Sequence, residues 1–248
     1  MINIEQDLRQ IVINEVEGLG RSDLFREPLV AFSDANDKRY DDLKRIIGDW
    51  HLSAGEILEG AKSVISFFVP FMKDVVMSPK NSEGPSRLWG EAYQMINLHS
   101  AHINKALTKY LSEFGYNSTS IPATHAYDPK DMKTFWSHKS AAHIAGLGVF
   151  GKNRILITEK GSGGRFGTLL TTAPLKATQS LPAVQCLDSC GLCHKICPVG
   201  AFSGSELDKH ACQNELFKNG EILRSKSDLT KADACGKCIS ICPVAYVE

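Results

Sequence analysis

The chain has 248 residues, enough for one substantial core or for a core with a small appended module. Hydrophobic residues make up 43% and charged residues 23%, which is the make-up of an ordinary folded protein and excludes a disordered one. Lys plus Arg and Asp plus Glu both number 28, so the formal net charge is zero and no overall basic excess points to nucleic acid or an anionic membrane. Only a local basic patch stays open.

The opening stretch MINIEQDLRQIVINEVEG carries Glu5 and Asp7 where a signal peptide carries only positive charge, and its apolar residues recur periodically, as in an amphipathic helix. The longest apolar run, Val64 to Met72, is about half of the ~20 residues a membrane span needs. A cytoplasmic protein without a membrane partner is the expectation. The stretch AKSVISFFVPF is rich in β-branched and aromatic residues, predicting a buried strand that ends at Pro70. Tyr93, Ile96, Ile103, Leu107, Tyr110, Leu111 and Phe114 then recur at helical spacings, with Gly115 as a C-terminal cap. YNSTSIP predicts a short strand, HKSAAHIAG a short helix, and RILIT and FGTLLTT two further strands separated by the glycine-rich EKGSGGRFG. Helices and strands thus interleave in a layered α/β or α+β core. A proline-containing connector, APLKATQSLPAVQ, separates residues 1–180 from a cysteine-rich segment, 181–248.

Seven of the eight cysteines fall in two tight clusters, and in a reducing compartment that favours metal ligation over disulfides. Cys186, Cys190, Cys193 and Cys197 form the first, and Cys235, Cys238 and Cys242 the second; each ends Cys-Pro, and Cys212 lies alone between them. In a bacterial ferredoxin run, three thiolates hold one 4Fe-4S cluster while the Cys-Pro cysteine crosses to the other. That rule assigns Cys186, Cys190, Cys193 and Cys242 to one cluster and Cys197, Cys212, Cys235 and Cys238 to a second. A pair of structural zinc sites is the alternative for Cys-x-x-Cys pairs, against which the Cys-Pro endings argue. His194 reads as a loop residue beside the clusters.

The stretch GLGVFGKN matches two phosphate-binding patterns through Gly146, Gly148, Gly151 and Lys152, and both fail. It follows a helix and leads into a strand, the reverse of the dinucleotide fingerprint, and Asn153 stands where a nucleotide P-loop needs Ser or Thr. The glycines serve tight turns, or let backbone approach a large flat or phosphate-bearing ligand.

The segment SHKSAAHIAGLGVFGKNRILITEKGSGGRFGTLLTTAPL followed by the cysteine pattern resembles the epoxyqueuosine reductase family and its relatives, the corrinoid-dependent reductive dehalogenases. The resemblance rests on Ala145-Gly146-Leu147-Gly148, Gly151-Lys152-Asn153, Gly161-Ser162, Arg165, and Leu170-Thr171 before Pro174-Leu175. It implies a nitroreductase-like α/β core that binds cobalamin, with a small C-terminal ferredoxin-like domain carrying two 4Fe-4S clusters. These clusters would reduce the cobalt to Co(I) for reductive chemistry while an acidic or phenolic side chain gives a proton. The cofactor contacts it implies are His51, His138, Gly146, Gly148, Gly151, Lys152, Asn153, Gly161, Ser162 and Arg165, with an exposed surface role as the competing reading for His51. The electrons would come from a low-potential donor such as a ferredoxin or flavodoxin. The family's catalytic aspartate falls in register near Met132 and Lys133, leaving Tyr127, Asp128 and Asp131 as candidate proton donors. The chain ends soon after its last cysteine, at CPVAYVE, which with zero net charge argues against a tRNA substrate. The rival reading is a non-catalytic electron-transfer protein that serves a partner corrinoid protein, and a flavin in the core is a third.

Overall fold

The computed structural model describes residues 3–122, 130–179, 184–204 and 206–248. In chain order its elements are α1 (Ile4–Glu17), β1 (Leu29–Asp34), α2 (Lys38–Ile46), α3 (Ala54–Ile57), β2 (Ser63–Pro70), α4 (Lys73–Asn81), α5 (Arg87–Glu113), β3 (Ser118–Ser120), α6 (His138–Ile144), β4 (Gly148–Phe150), β5 (Leu156–Thr158), β6 (Gly164–Thr171), α7 (Leu192–Lys195), β7 (Phe202–Ser203), β8 (Glu206–Leu207), α8 (Lys209–Lys226) and α9 (Lys237–Ser240).

Four strands form an antiparallel sheet in the order β1-β2-β6-β3. Every residue of β2 is buried, and the alternation of its side chains shows why. Ile65, Phe67 and Val69 pack with Leu8 and Val12 of α1 and with Ile96, Ile103 and Leu107 of α5. Val64 points the other way, to Tyr40 and Leu43 of α2 and Ala141 and Ile144 of α6, and Phe68 joins Ala142 and Ala145. A sheet covered on both faces needs continuous hydrophobic strands rather than alternating ones. The same division sorts Val30 and Phe32 of β1 from Ala31 between them.

Helix ends obey local chemistry. The Asn3 side chain accepts from the Gln6 amide at the start of α1, Ser86 from Trp89 at the start of α5, and Ser137 from Ser140 at the start of α6. After α5, Gly115 takes a left-handed φ of +77°, the conformation expected of a C-terminal glycine. The helix begins ahead of the sequence-based start, because Ser86 caps it. The glycine-rich GLGVFG is only partly a turn: Gly146 has φ +83°, while Gly148 opens β4, which pairs with β5.

The outer edge of β1 is stitched to the connector. The Thr178 amide donates to the Phe32 carbonyl at 2.8 Å, the Phe32 amide to Thr178 Oγ1 at 3.1 Å, and the Arg9 guanidinium reaches the Val30 carbonyl.

The cysteine-rich segment shares the main core, to which Ala234, Ile239 and Ala245 contribute buried side chains. Polar bonds lock it in place. The Ser162 and Gly163 amides both donate to the Ala245 carbonyl, at 3.0 and 2.9 Å. Lys237 Nζ donates to the carbonyls of Pro79 and Ser82 at 2.9 and 2.8 Å, and Arg26 donates to the Val247 carbonyl at 2.6 Å while lying 4.4 Å from the Tyr246 ring centre. Among the described residues no helix is long and apolar enough to cross a membrane.

Gly161 is the tightest point of this contact. Its φ is +96°, and a Cβ there would lie 2.4 Å from the Ala245 carbonyl oxygen. Gly161→Ala is expected to cost about 1–3 kcal/mol in urea denaturation and to raise amide exchange across residues 242–248.

Candidate functional site

Charge coupling among the thiols sorts them into groups. Cys193 and Cys242 each interact with Cys186 and Cys190, whereas Cys212 interacts with Cys235 and Cys197. Cys238 couples to Cys235, Cys212 and Cys197, and also to Cys193 across the divide. Burial raises the thiols of Cys193, Cys212, Cys235 and Cys242 above their ordinary range and pushes Cys238 up to about 12. Crowded thiolates persist only with cationic metal between them, and a donor set of four thiols fits an iron-sulfur cluster in each group. Among the described residues no three His, Cys, Asp or Glu converge on a single ion.

Cys197, Cys212, Cys235 and Cys238 face the core across a cavity of about 410 Å³. The opposite wall is Trp89 and Tyr93 of α5, Trp136, His138 and Lys139 at the start of α6, and Arg165 and Phe166 of β6. Trp89 and Tyr93 are four residues apart on one helix face. His138 is fixed between Thr168 Oγ1 at 2.8 Å and the Pro122 carbonyl at 3.1 Å. Arg165 donates from Nε to Asn97 Oδ1 at 2.9 Å and holds its guanidinium 4.5 Å from the Tyr93 ring centre.

A second and larger groove, of about 1110 Å³, adjoins the first through Ser137 and Lys139, which line both. Leu43, Ile46, Ile47 and Phe150 give it an apolar wall. Arg39, Lys139, Lys152, Arg154 and Lys209 line it as cations, and Asp42 is the one acid among its lining residues. The neutral total therefore hides a basic groove. Lys139 Nζ donates to the Arg154 carbonyl at 2.9 Å, and burial together with the charge of Arg165 lowers its ammonium pKa to about 8. The joined clefts fit a large amphipathic ligand with amide and phosphate groups: apolar walls for its faces, and donors for its rim.

Of the residues picked out in the sequence, His138 and Arg165 line the smaller cavity, and Gly151 and Lys152 the larger groove. Lys152 also braces the cysteine segment, donating from Nζ to the carbonyls of Asp188 and, at 3.1 Å, Cys190. Asn153 does the same, from Nδ2 to the Cys238 carbonyl at 3.1 Å. Gly148 lets two strands approach, since a Cβ there would lie 2.3 Å from the Ile157 carbonyl oxygen. Gly146 borders a separate groove beside Arg9 and Glu27. Gly161 and Ser162 face Ala245 rather than either cleft. Asp131 is exposed, ion-pairs with Lys133 at 2.8 Å and lines neither cleft. Tyr127 and Asp128 lie outside the described residues. Arg39, Arg154, Lys209 and the aromatic wall were missed, because nothing local in the sequence tells which charges and rings the fold gathers.

His51 corrects the surface reading: it is 1% exposed, lines neither cleft and stacks on Trp136 at 5.6 Å. Neither ring nitrogen has a hydrogen-bond partner, and burial lowers its pKa below the ordinary value. The unfolded chain therefore takes up a proton that the folded one refuses, so stability present above pH ~6.5 is lost as the pH falls toward the depressed value. His51→Phe is expected to match the wild type at pH 7 and to exceed it by about 1 kcal/mol at pH 5, measured by urea denaturation.

A sheet covered by helices on both faces, joined to a cysteine-rich segment that walls the smaller of its two clefts, defines the fold class. No protein-family model and no curated protein matches the chain. Its fold is that of the epoxyqueuosine reductases and reductive dehalogenases. An epoxyqueuosine reductase from Streptococcus thermophilus superposes with a TM-score of 0.62 at 18% identity over 98% of this chain. One from Bacillus subtilis, with its catalytic aspartate loop swung out of the active site, gives 0.60 at 18% over the same share. A reductive dehalogenase whose structure suggests a mechanism for B12-dependent dehalogenation gives 0.58 at 18% over 87%. The chain spans 66% of the length of either epoxyqueuosine reductase and 29% of the dehalogenase.

Proposed function

We propose that this protein is a reductase whose two cysteine sets hold 4Fe-4S clusters and whose joined clefts hold a corrinoid. The observation that carries the reading is the set Cys197, Cys212, Cys235 and Cys238, which opens onto the cleft walled by His138, Lys139 and Arg165. A reduced corrinoid, when bound, supplies a strongly nucleophilic metal centre. The chain's own residues give it a place and an electron supply. Lys152 and Asn153 fix the cysteine segment against the glycine turn, so the distance from thiolates to cleft is set by side-chain bonds to its backbone carbonyls. Trp89, Tyr93, Trp136 and Phe166 exclude water from the space next to the second set. The first set sits on a segment where Leu187 and Leu192 are exposed, which suits the uptake of electrons from an external low-potential donor. We assign 1–180 to the core and 181–248 to the electron-transfer unit; the boundary itself falls outside the described residues.

The basic groove reopens the question of substrate. A solved epoxyqueuosine reductase of the same fold carries a tRNA stem loop, with a TM-score of 0.60, and a groove lined by five cations and one acid is suited to phosphate. The deciding experiment is anaerobic purification with iron, sulfide and cobalt analysis and titration with cobalamin, followed by turnover assays on epoxyqueuosine-bearing tRNA and on halogenated phenols. Iron equal to two clusters, tight cobalamin binding and turnover of either substrate support the reading. A protein that binds no cobalamin refutes the corrinoid.

The pairing of thiolates has its own test. Cys212→Ser and Cys238→Ser are expected to abolish one and the same cluster signal in electron paramagnetic resonance, and Cys190→Ser the other. Loss of different signals from the first two variants would overturn the assignment.

A further inference from the structure

His194 lines the larger groove where the cysteine segment borders it, and has no role in the scheme above. It follows Cys193 of the first set and precedes Cys197 of the second by three residues, a spacing that puts His194 and Cys197 on one side of a helical turn. The imidazole lies flat on Phe202, 4.7 Å away at an interplanar angle of 2°. Phe202 in turn lines the cavity bounded by Cys197, Cys212, Cys235 and Cys238. Nε2 of His194 is sealed from solvent and has no hydrogen-bond partner. Buried polar groups in folded proteins are almost always paired, and an orphan calls for an explanation, of which a partner ion or cofactor is one. The stack on Phe202 keeps the ring from swinging out to water. Four residues after Cys197, the Ala201 amide donates to Cys197 Sγ at 3.3 Å, so amide donors already face the sulfur of this set.

We propose that His194 Nε2–H donates a hydrogen bond to the cluster held by Cys197, Cys212, Cys235 and Cys238, and so acts as a positioning residue that sets the potential of the cluster next to the cleft. This rests on the two-cluster reading. A donor aimed at cluster sulfur favours the reduced, more negative state and raises the midpoint.

The test is a redox titration followed by electron paramagnetic resonance on the whole protein, comparing wild type, His194→Phe and His194→Gln. His194→Phe keeps the stack and removes the donor; it is expected to move one cluster's midpoint to more negative potential and leave the other in place. His194→Gln, which keeps an N–H, is expected to lie nearer the wild type. Equal midpoints in all three proteins, or equal shifts in both variants, would overturn the proposal. If His194→Phe assembles no cluster, the wild type labelled with ¹⁵N-histidine decides: a histidine nitrogen coupled to the reduced cluster and lost in His194→Gln supports the bond, and its absence refutes it. A wild type without iron would instead refute the cluster reading itself.

Discussion

The Ala245 carbonyl, which accepts from both Ser162 and Gly163, is the contact on which the rest of the arrangement depends. It joins the loop leading into β6 to the end of the cysteine segment, and so makes the position of the thiols a property of the sheet. Gly161 and Gly163 permit it by lacking side chains: a Cβ on Gly163 would lie 2.4 Å from Val76. Lys152, Asn153 and Lys237 add bonds from charged or amide groups to backbone carbonyls, which hold position without matching side chain to side chain. In a structure whose proposed task is electron transfer, that rigidity fixes the gap electrons must cross.

Much of this was legible in the sequence, and the failures have physical causes. The long periodic pattern of α5 and the continuous apolar run of β2 were plain, since each element's burial is written in its own residues. β1 escaped notice because its six residues are too short and too uniformly buried to alternate. The cysteine sets could be drawn from spacing alone, as the ligand pattern is local and the chemistry strict. The glycine-rich loops allowed either tight turns or a ligand cradle, and local sequence could not tell that Gly148 and Gly161 make room for backbone while Gly151 borders the larger groove. His51 was read as a cofactor contact with an exposed surface role as the competing reading, and its burial against Trp136 depends on contacts remote in the chain.

Charge tells a similar story at another scale. The balance of 28 cations and 28 anions is a sum over the whole surface, while a ligand meets only the part that faces it. Arg39, Lys139, Lys152, Arg154 and Lys209 come from separate parts of the chain, and folding concentrates them around one groove. Their mutual repulsion is relieved in part by backbone carbonyls: that of Ile144 accepts from Arg39 at 2.9 Å and that of Arg154 from Lys139. Arg39 is also ion-paired with Asp37 at 2.6 Å, so the groove's excess positive charge rests on Lys139, Lys152, Arg154 and Lys209.

The seam between Thr178 and Phe32 bears on how the proposed clusters would be rebuilt after loss. Thr178 is anchored to the sheet edge, and Cys186 lies eight residues beyond it. A chain of that length spans at most ~29 Å even when fully extended. Were the cysteine segment to come loose, its first thiol would remain on a short leash at a high effective concentration near the cleft. Reassembly after oxidative damage then becomes an intramolecular search confined to one side of the molecule, with the edge of β1 as its fixed post.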